Sequence, residues 1–595
     1  MPHYDAPVRD MQFILHDFLA IENYSNLAGF SEVSRDLVNQ ILEQGGKFAS
    51  EVLHPLNSVG DREGCTRHDD ASVTTPTGFP DAYRQLVESG FQMLGAPEEM
   101  GGQNLPNVLH TAWSEMVSSA NMAFGMYPGL THGAFQALMA AGSDEQKALY
   151  GPKMASGEWA GTMNLTEPHC GTDLGLLKTK AAANGDGSYS ITGQKIWISG
   201  GEHDLTDNII HLVLARTEGA PEGVKGISLF VVPKFIVRED GSLGERNGVS
   251  CGGLEEKMGI HGNATCVMNY DGAQGWLVGE ENKGLKNMFV MMNEARLGVG
   301  LQGLSQAEIA RQNAAGFAND RLQGRSLTGA KNPDGPADPI IVHPDVRRML
   351  MDTRAIVEGA RAFCYWVALQ GDFEHRSEDE KIREKAGDYM ALMTPVVKAF
   401  LTDRGLKACI DSMQVLGGSG FTREWGLEQY VRDVRITLIY EGTNGIQALD
   451  LVGRKLAANG GRAIFTFFAE IDDYVSAHDG NAELAPFIDG LASAKAQLKQ
   501  ATDWLMENGM SNFDNAGAAS HDYLQLFGLT ALAYMWAQMA EIALQQAGSG
   551  DPFYEDKLVT GRYFVDRILP EAASHLAKVR AGADSMMALD AERFG

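Results

Sequence analysis

One carboxylate stands in an unusual setting in the stretch LIYEGTNGIQALDLVGRK, residues 438–455. Glu441 lies between the aromatic Tyr440 and the small pair Gly442 and Thr443, directly before residues with helical spacing. Such a glutamate can be a solvated surface charge, or it can be a general base held at the mouth of a pocket. Which interpretation is correct depends on the chemistry that the rest of the chain could assemble.

A second candidate is the hydroxyl-rich turn MNLTEPHCGTDLG, residues 163–175. The hydroxyls of Thr166 and Thr172, with backbone N–H groups, could bind a phosphate or a polar heterocycle. The turn is neither a Walker loop nor a G-x-G-x-x-G, so taken alone an ordinary turn is the better interpretation. His169 and Cys170 suggest a metal or a nucleophile, but no third ligand shares their spacing, and no metal site is predicted.

A third candidate is the strand pattern GQKIWISGG, residues 193–201. Strand alternation predicts Lys195, Trp197 and Ser199 on one face. A tryptophan and a serine two residues apart could cover a flat ring and hydrogen-bond its edge. On this strand alone, a tryptophan of an amphipathic sheet is the simpler interpretation.

Together, and in this order, these segments resemble the acyl-CoA dehydrogenase family. The family's TEP-x-x-G-[ST]-D turn appears as TEPHCGTD, its K-x-W-I-[ST] strand as KIWIS, its Q-x-x-G-G-x-G-[FY] segment as QVLGGSGF, and its R-D-x-[RK]-x-x-x-I-[YF]-E-G-T segment as RDVRITLIYEGT. The strong match covers 156–455. The residues beyond it are similar to the longer branch of the family, and the opening MPHYDAPVRDMQFILHDFL with the TEPHCGTDLG variant is most similar to its 3-(methylthio)propionyl-CoA dehydrogenases.

The resemblance implies FAD as the cofactor and assigns its contacts by motif position. The implied FAD contacts are Met163, Leu165, Thr166, Gly171, Thr172, Trp197, Ile198, Ser199, Arg321, Gln414, Gly417, Gly418 and Thr443. Four of these match residues that reach the FAD of a neighbouring subunit: Arg321, Gln414, Gly417 and Gly418. The resemblance therefore implies a homo-oligomer, with a dimer as the first expectation.

The resemblance also implies an acyl-CoA substrate and a role for the opening glutamate. The implied substrate contacts are Thr172, Asn293, Arg296, Tyr440, Glu441 and Gly442. Glu441 falls on the family's base position, Tyr440 would wall the acyl pocket, and Gly442 would let the backbone turn. Only Arg296 is a clean match for the phosphopantetheine arm, because the family often has Asp where Asn293 stands.

The expected reaction is α,β-dehydrogenation to a trans-2-enoyl-CoA, with 3-(methylthio)propionyl-CoA as the first substrate and short acyl groups such as butyryl-CoA close behind. Electrons would leave to electron-transfer flavoprotein near Trp197. An acyl-CoA oxidase of the same fold is a first alternative, since sequence does not report oxygen access. A DNA-associated flavoprotein of this fold is a second, which a net charge of −28 argues against.

The composition of the chain indicates which binding partners and which cellular compartment to expect. The strongly acidic charge disfavours nucleic acid and anionic membranes. No apolar run approaches the ~18–20 residues of a membrane helix, and the first residues lack a signal-peptide pattern, so a cytoplasmic enzyme is expected. Six scattered cysteines without a CxxC pair predict free thiols rather than a disulfide framework.

The elements that would position these residues are separated along the chain. Helical spacing runs from residue 31 to about 155, short β-prone segments between glycine-rich turns fill 158–282, and helical patterns return at 286. Segregated helices and sheet predict an α+β fold. The expected domains are an N-terminal helical domain (1–157), an antiparallel β domain (158–282), a second helical, four-helix-bundle domain (283–455) and a C-terminal helical extension (456–595).

Overall fold

A computed structural model describes residues 2–509 and 511–595, and it is mostly helical with a β-rich middle. The chain folds as two compact units. One is formed by Glu43–Gly298, and the other by the residues up to Leu42 together with Val299–Gly595. The predicted α+β class is confirmed.

The helices are α1 (Val8–Gln12), α2 (Arg35–Phe48), α3 (His54–Glu63), α4 (Phe79–Ser89), α5 (Asn107–Ala120), α6 (Met122–Ala141), α7 (Asp144–Ser156), α8 (Gly284–Asp320), α9 (Pro344–Arg376), α10 (Glu380–Val415), α11 (Leu427–Val434), α12 (Asn444–Asp450), α13 (Arg462–Ala477), α14 (Ala485–Asn508), α15 (Phe513–Gln545), α16 (Pro552–Tyr563), α17 (Glu571–Ala581) and α18 (Asp584–Met587). The strands are β1 (Thr66–Arg67), β2 (Val73–Thr74), β3 (Trp159–Asn164), β4 (Lys180–Ala183), β5 (Ser188–Ser199), β6 (Asn208–Thr217), β7 (Ser228–Pro233), β8 (Phe235–Val237), β9 (Leu243–Arg246), β10 (Val249–Leu254) and β11 (Thr265–Leu277).

A seven-stranded sheet carries the middle of the chain. Its strands run in the order β10-β11-β5-β4-β6-β3, and β7 pairs with both β11 and β6. Most pairings are antiparallel, as expected, but β6 pairs in parallel with β3 and with β4. As is typical of parallel pairing, β6, NIIHLVLART, is buried along nearly its whole length instead of alternating between buried and exposed residues.

Alternate side chains of β6 enter two separate cores. Ile210 and Leu212 join a cluster that includes Ala134 and Leu138 of α6. Val213 joins the cluster on the opposite face of the sheet. A strand buried on both sides is held from both faces, so the sheet is a rigid base for the turns at its edge.

The C-terminal helices pack onto the long helices α9 and α10. Helical spacing of apolar residues in the sequence predicts one buried face for α15, and the structure buries all its members: Leu524, Gly528, Ala531, Leu532, Met535 and Met539. Gly528 is required there, because a Cβ would lie 2.3 Å from the Phe400 ring. The Trp536 indole N–H donates to the Ala355 carbonyl at 3.2 Å. The extension is therefore an integral part of its compact unit.

The first residues of the chain join the same unit through buried charges. Asp10 accepts a hydrogen bond from Arg361 and pairs with Lys557 of α16. Arg9 donates to Asp551 at 3.0 Å, a contact that spans 542 positions of sequence. These pairs tie α1 to the last third of the chain.

Candidate active site

The strand β5 carries a bulge at its predicted ring-binding residues. Its register against β11 shifts between Lys195 and Ile198, opposite Met268 and Cys266. Trp197, inside this bulge, has φ +60° and an indole that is 61% exposed. A left-handed backbone at a bulky side chain is a conformational outlier and is typical of functional sites.

The bulge overturns the alternation predicted for this strand. Lys195 is fully buried whereas Trp197 is exposed, so the expectation that both share a face with Ser199 is wrong. The physical reason is that one extra residue in a strand reverses the facing of every side chain beyond it. Ile198 is consequently buried, and Ser199 is half-buried opposite Thr265.

The TEPHCGTD turn lies directly against this strand. The Ile196 N–H donates to the Thr166 carbonyl at 3.0 Å. Met163 belongs to β3, Leu165 is buried, and a Cβ on Gly171 would meet the Thr166 methyl at 3.7 Å. Gly171 and Thr172 are exposed. The structure thus brings the predicted flavin residues of the turn and the strand together.

A buried ion pair fastens the turn to the strand. The Lys195 ammonium donates to Glu167 at 2.8 Å and to the Leu165 carbonyl at 2.9 Å. Glu167 also accepts from the Thr179 hydroxyl at 2.6 Å and from the Lys178 N–H at 2.8 Å. Burial lowers the pKa of Lys195 to about 8 against the opposing effect of Glu167. Burial alone would raise the pKa of Glu167, but Lys195 and the hydrogen bonds hold it below its ordinary value.

This pair also revises the assessment of His169 and Cys170. The ligand atoms of Glu167, His169 and Cys170 lie within 4.8 Å of one another, so a third possible ligand is close in space although the sequence spacing did not indicate it. Glu167 comes from the same turn, two residues before His169, which ligand-spacing patterns do not capture. Because Glu167 already accepts a hydrogen bond from the ammonium of Lys195, that cation disfavours a second cation at this position.

The segment that carries Glu441 also has a left-handed backbone. Glu441 has φ +58° and Gly442 has φ +82°. A Cβ at Gly442 would lie 2.6 Å from the Gln447 amide nitrogen, which donates to the Glu441 carbonyl at 3.0 Å. The backbone at Gly442 thus lies in the left-handed region, which glycine adopts without a steric cost. Thr443 accepts from the Ile446 N–H and caps α12.

Tyr440, the residue before Glu441, is held in place by a hydrogen bond of its side chain. The Tyr440 hydroxyl donates to the side-chain oxygen of Gln302 on α8. Burial raises the pKa of Tyr440, and the nearby Glu441 charge raises it further. Tyr440 is therefore a neutral, oriented aromatic wall beside the Glu441 carboxylate.

The sequence motifs did not single out Lys398, whose buried side chain supports the Glu441 segment. Lys398 of α10 is fully buried, and its ammonium donates to the Gly442 carbonyl and to the Asn444 side-chain oxygen, each at 2.8 Å. A lysine within an otherwise apolar helical stretch, TPVVKAF, was the available signal. Buried lysines are rare unless they have such partners.

The remaining predicted residues occupy helix α8 and the end of α10. Arg296 is buried with its guanidinium 5.9 Å from the Phe289 ring, and Asn293 is exposed. Arg321 is exposed just after α8 ends. The adenylate-binding candidates are also exposed at and after the end of α10: Gln414, Gly417 and Gly418.

Four sequence models of protein families match the chain. Three are described as the acyl-CoA dehydrogenase N-terminal, middle and C-terminal domains, at residues 39–158, 162–273 and 282–456. The fourth, described as acetyl-CoA dehydrogenase C-terminal like, matches 467–590.

Whole-chain comparisons agree with these matches. The 3-methylmercaptopropionyl-CoA dehydrogenase of Ruegeria pomeroyi is 42% identical over 98% of this chain and 99% of its own. A butyryl-CoA dehydrogenase of Syntrophomonas wolfei is 32% identical over 100% and 99%. The structure of a Bacillus anthracis acyl-CoA dehydrogenase complexed with FAD has a TM-score of 0.75 at 23% identity, covering 92% of this chain and 88% of that one. With relatives this similar along nearly their entire length, this chain belongs to the acyl-CoA dehydrogenase family.

Proposed function

We propose that this chain oxidises 3-(methylthio)propionyl-CoA to the corresponding trans-2-enoyl-CoA, with Glu441 as the base that removes the α-proton. The observation that carries the proposal is the Glu441 segment, where a carboxylate stands on a left-handed backbone held at two consecutive carbonyls. The 42% identical relative named for this substrate supports the choice of acyl group. A strained backbone that is held this firmly is characteristic of catalytic positions.

The residues assigned to FAD fit a cofactor with a flat ring and a phosphate. Trp197 offers an exposed indole, and its neighbour Ser199 faces Thr265, whose buried hydroxyl has no partner in the described part of the chain. A Cβ at Gly417 or Gly418 would meet nothing within 4 Å, so the backbone there is open to a ligand. The Thr166 and Thr172 hydroxyls would serve the polar parts of the cofactor.

FAD, when bound, supplies the acceptor for the β-hydride. The protein's own task is to make an unreactive α C–H acidic. The Glu441 backbone N–H would donate to the thioester carbonyl and stabilise the negative charge that develops on its oxygen, which is worth several kcal/mol per well-aimed donor. The Glu441 carboxylate then accepts the proton, Tyr440 excludes water beside it, and Arg296 binds the phosphopantetheine arm.

Further parts of the proposal concern partners and compartment. We assign electron-transfer flavoprotein as the electron acceptor, approaching near the exposed Trp197 indole. Arg321, Gln414, Gly417 and Gly418 would reach the FAD of a second copy, so the working assembly is a homodimer. None of the helices among the described residues is long and apolar enough to cross a bilayer. All six cysteines are unpaired, which supports a reducing compartment such as the cytoplasm.

The decisive experiment is anaerobic mixing of the FAD-loaded protein with 3-(methylthio)propionyl-CoA and, separately, with butyryl-CoA. Bleaching of the flavin band is followed for the parent, for Glu441→Gln and for the matched control Glu424→Gln, an exposed glutamate. We expect bleaching in the parent and in Glu424→Gln, and none in Glu441→Gln. Equal bleaching in all three would refute Glu441 as the base.

The two substrates and the response to air separate the remaining alternatives. Faster bleaching by butyryl-CoA would reassign the substrate to short straight-chain acyl groups, which the butyryl-CoA dehydrogenase relative makes the second candidate. Rapid reoxidation of the bleached flavin by air would favour an oxidase.

A further inference from the structure

The C-terminal extension is connected to the Glu441 segment by a continuous chain of side-chain hydrogen bonds. Gln525 of α15 donates to one oxygen of Asp403 at 2.7 Å. Asn444 donates to the other oxygen of Asp403 at 2.8 Å, and its own side-chain oxygen accepts from Lys398 at 2.8 Å. Lys398 also donates to the Gly442 carbonyl at 2.8 Å.

Three of the four side chains in this series of contacts are buried, and the fourth, Asp403, is half-buried. Lys398 is fully buried, Gln525 is 4% exposed and Asn444 is 8% exposed. Buried hydrogen bonds act in a low dielectric and polarise one another, so the loss of one donor is felt by the others. The ammonium of Lys398 and the carboxylate of Asp403 balance each other in charge, with the Asn444 amide between them.

Gln525 stands at the end of this series of contacts that is farthest from Glu441, and the order of the contacts connects it to the orientation of Asn444. Asn444 must point its nitrogen at Asp403 in order to point its oxygen at Lys398. Asp403 accepts from Asn444 and Gln525 on separate oxygens, and burial raises its pKa. Without the Gln525 donor, one carboxylate oxygen would be buried with less compensation. The side chain of Asp403, and with it the orientation of Asn444, would be less firmly fixed.

We propose that Gln525 is a positioning residue for the base: through Asp403, Asn444 and Lys398 it fixes the left-handed backbone at Glu441 and Gly442. This inference depends on the proposed role of Glu441. It gives the extension a catalytic purpose, because a helix outside the matched 282–456 segment completes the support of the base.

The test compares Gln525→Met with Gln538→Met in the FAD-loaded full chain. Both glutamines lie on α15, but Gln538 donates to the Tyr534 carbonyl of its own helix at 3.2 Å and does not belong to this chain of contacts. Anaerobic stopped-flow gives the limiting rate of flavin bleaching per bound flavin and the substrate concentration at half-saturation. A merely structural role would lower flavin content or thermal midpoint without changing the limiting rate per bound flavin.

We expect Gln525→Met to lower the limiting rate by about three- to tenfold, as the loss of one buried hydrogen bond predicts, with half-saturation unchanged. Gln538→Met should match the parent. If Gln525→Met does not fold, Asp403→Asn, which keeps the shape but turns one acceptor into a donor, should produce the same selective loss.

The outcomes for the base and for its support are separable. If Glu441→Gln abolishes bleaching while Gln525→Met matches Gln538→Met, the positioning role is overturned and the base assignment stands. If Glu441→Gln bleaches like the parent, the proposed base itself has failed.

Discussion

Replacing Lys195 by methionine should destabilise the sheet-containing unit and loosen its TEPHCGTD turn. The substitution removes a fully buried ammonium from Glu167. Breaking one partner of a buried pair typically costs ~3–5 kcal/mol. We expect the lower end, about 3 kcal/mol, because Glu167 keeps its donors from Thr179 and Lys178. For a unit of this size that corresponds to ~6–12 °C in thermal midpoint.

The pH dependence of stability provides a second, independent test of the role of Lys195. Burial lowers the pKa of Lys195 from 10.5 to about 8. Between those pH values the unfolded chain binds more protons than the folded protein, so the parent gains stability as pH rises through that window. The gain is at most about 3 kcal/mol. Lys195→Met lacks this group, so the difference between parent and variant should widen from pH 8 to 10.5.

Thermal unfolding followed by circular dichroism measures both effects. Lys180→Met, at an exposed lysine of β4, is the matched control and should leave the midpoint unchanged. Lys195→Met combined with Glu167→Gln should lose less stability than the sum of the single changes, by about 0.5–3 kcal/mol. Additive losses, or a Lys195→Met midpoint equal to that of Lys180→Met, would refute the ion-pair argument.

Three further predictions concern the other strained or buried positions. Gly442→Ala should slow flavin bleaching and cost about 1–2 kcal/mol of stability, because a φ of +82° disfavours any side chain. The added Cβ would also lie 2.6 Å from the Gln447 amide nitrogen. A bleaching rate equal to that of the parent would contradict this prediction. Burial would raise the pKa of Glu308, but two neighbouring arginines outweigh it and lower that pKa from 4.5 to about 2. The contribution of Glu308 to the stability of the fold is therefore present above pH 4.5 and is lost as pH falls toward 2. The thermal midpoint should accordingly fall less steeply with decreasing pH in Glu308→Gln than in the parent. Trp197→Gly should raise the free energy of unfolding by up to ~1 kcal/mol, and with it the thermal midpoint, because glycine adopts φ +60° without strain. The same substitution should slow electron transfer to electron-transfer flavoprotein. A lower thermal midpoint would show that the indole packs more than its exposure suggests.

The sequence allowed the fold class, the central sheet and the apolar face of α15 to be predicted, because these depend on local periodicity. It also identified the segments that carry chemistry, since the TEPHCGTD turn and the KIWIS strand do lie against each other. The facing of Lys195 and Trp197 could not be derived, because a bulge is defined by the partner strand. The parallel pairing of β6 is likewise a property of topology.

The support of the Glu441 segment could be predicted only in part, because Lys398 in the apolar stretch TPVVKAF was its one signal in the sequence. Asp403 and Gln525 come from two different helices, and their side chains are of types that are ordinary on helix surfaces. Their significance appears only when the helices pack and bury them around Asn444. Gly442, by contrast, could be interpreted from sequence, because glycine is the residue that adopts a left-handed backbone without a steric cost.

The contact between Arg9 and Asp551 has a consequence for how the chain is made. It joins residues 542 positions apart, and at ~5–20 residues per second a ribosome needs roughly half a minute to two minutes to synthesise that stretch. During this time Phe13, fully buried in the finished protein, lacks the ring of Phe553 that lies 5.4 Å from its own, centroid to centroid. The contacts that α1 and Phe13 make with residues 551–557 therefore form only after that stretch of the chain has been synthesised.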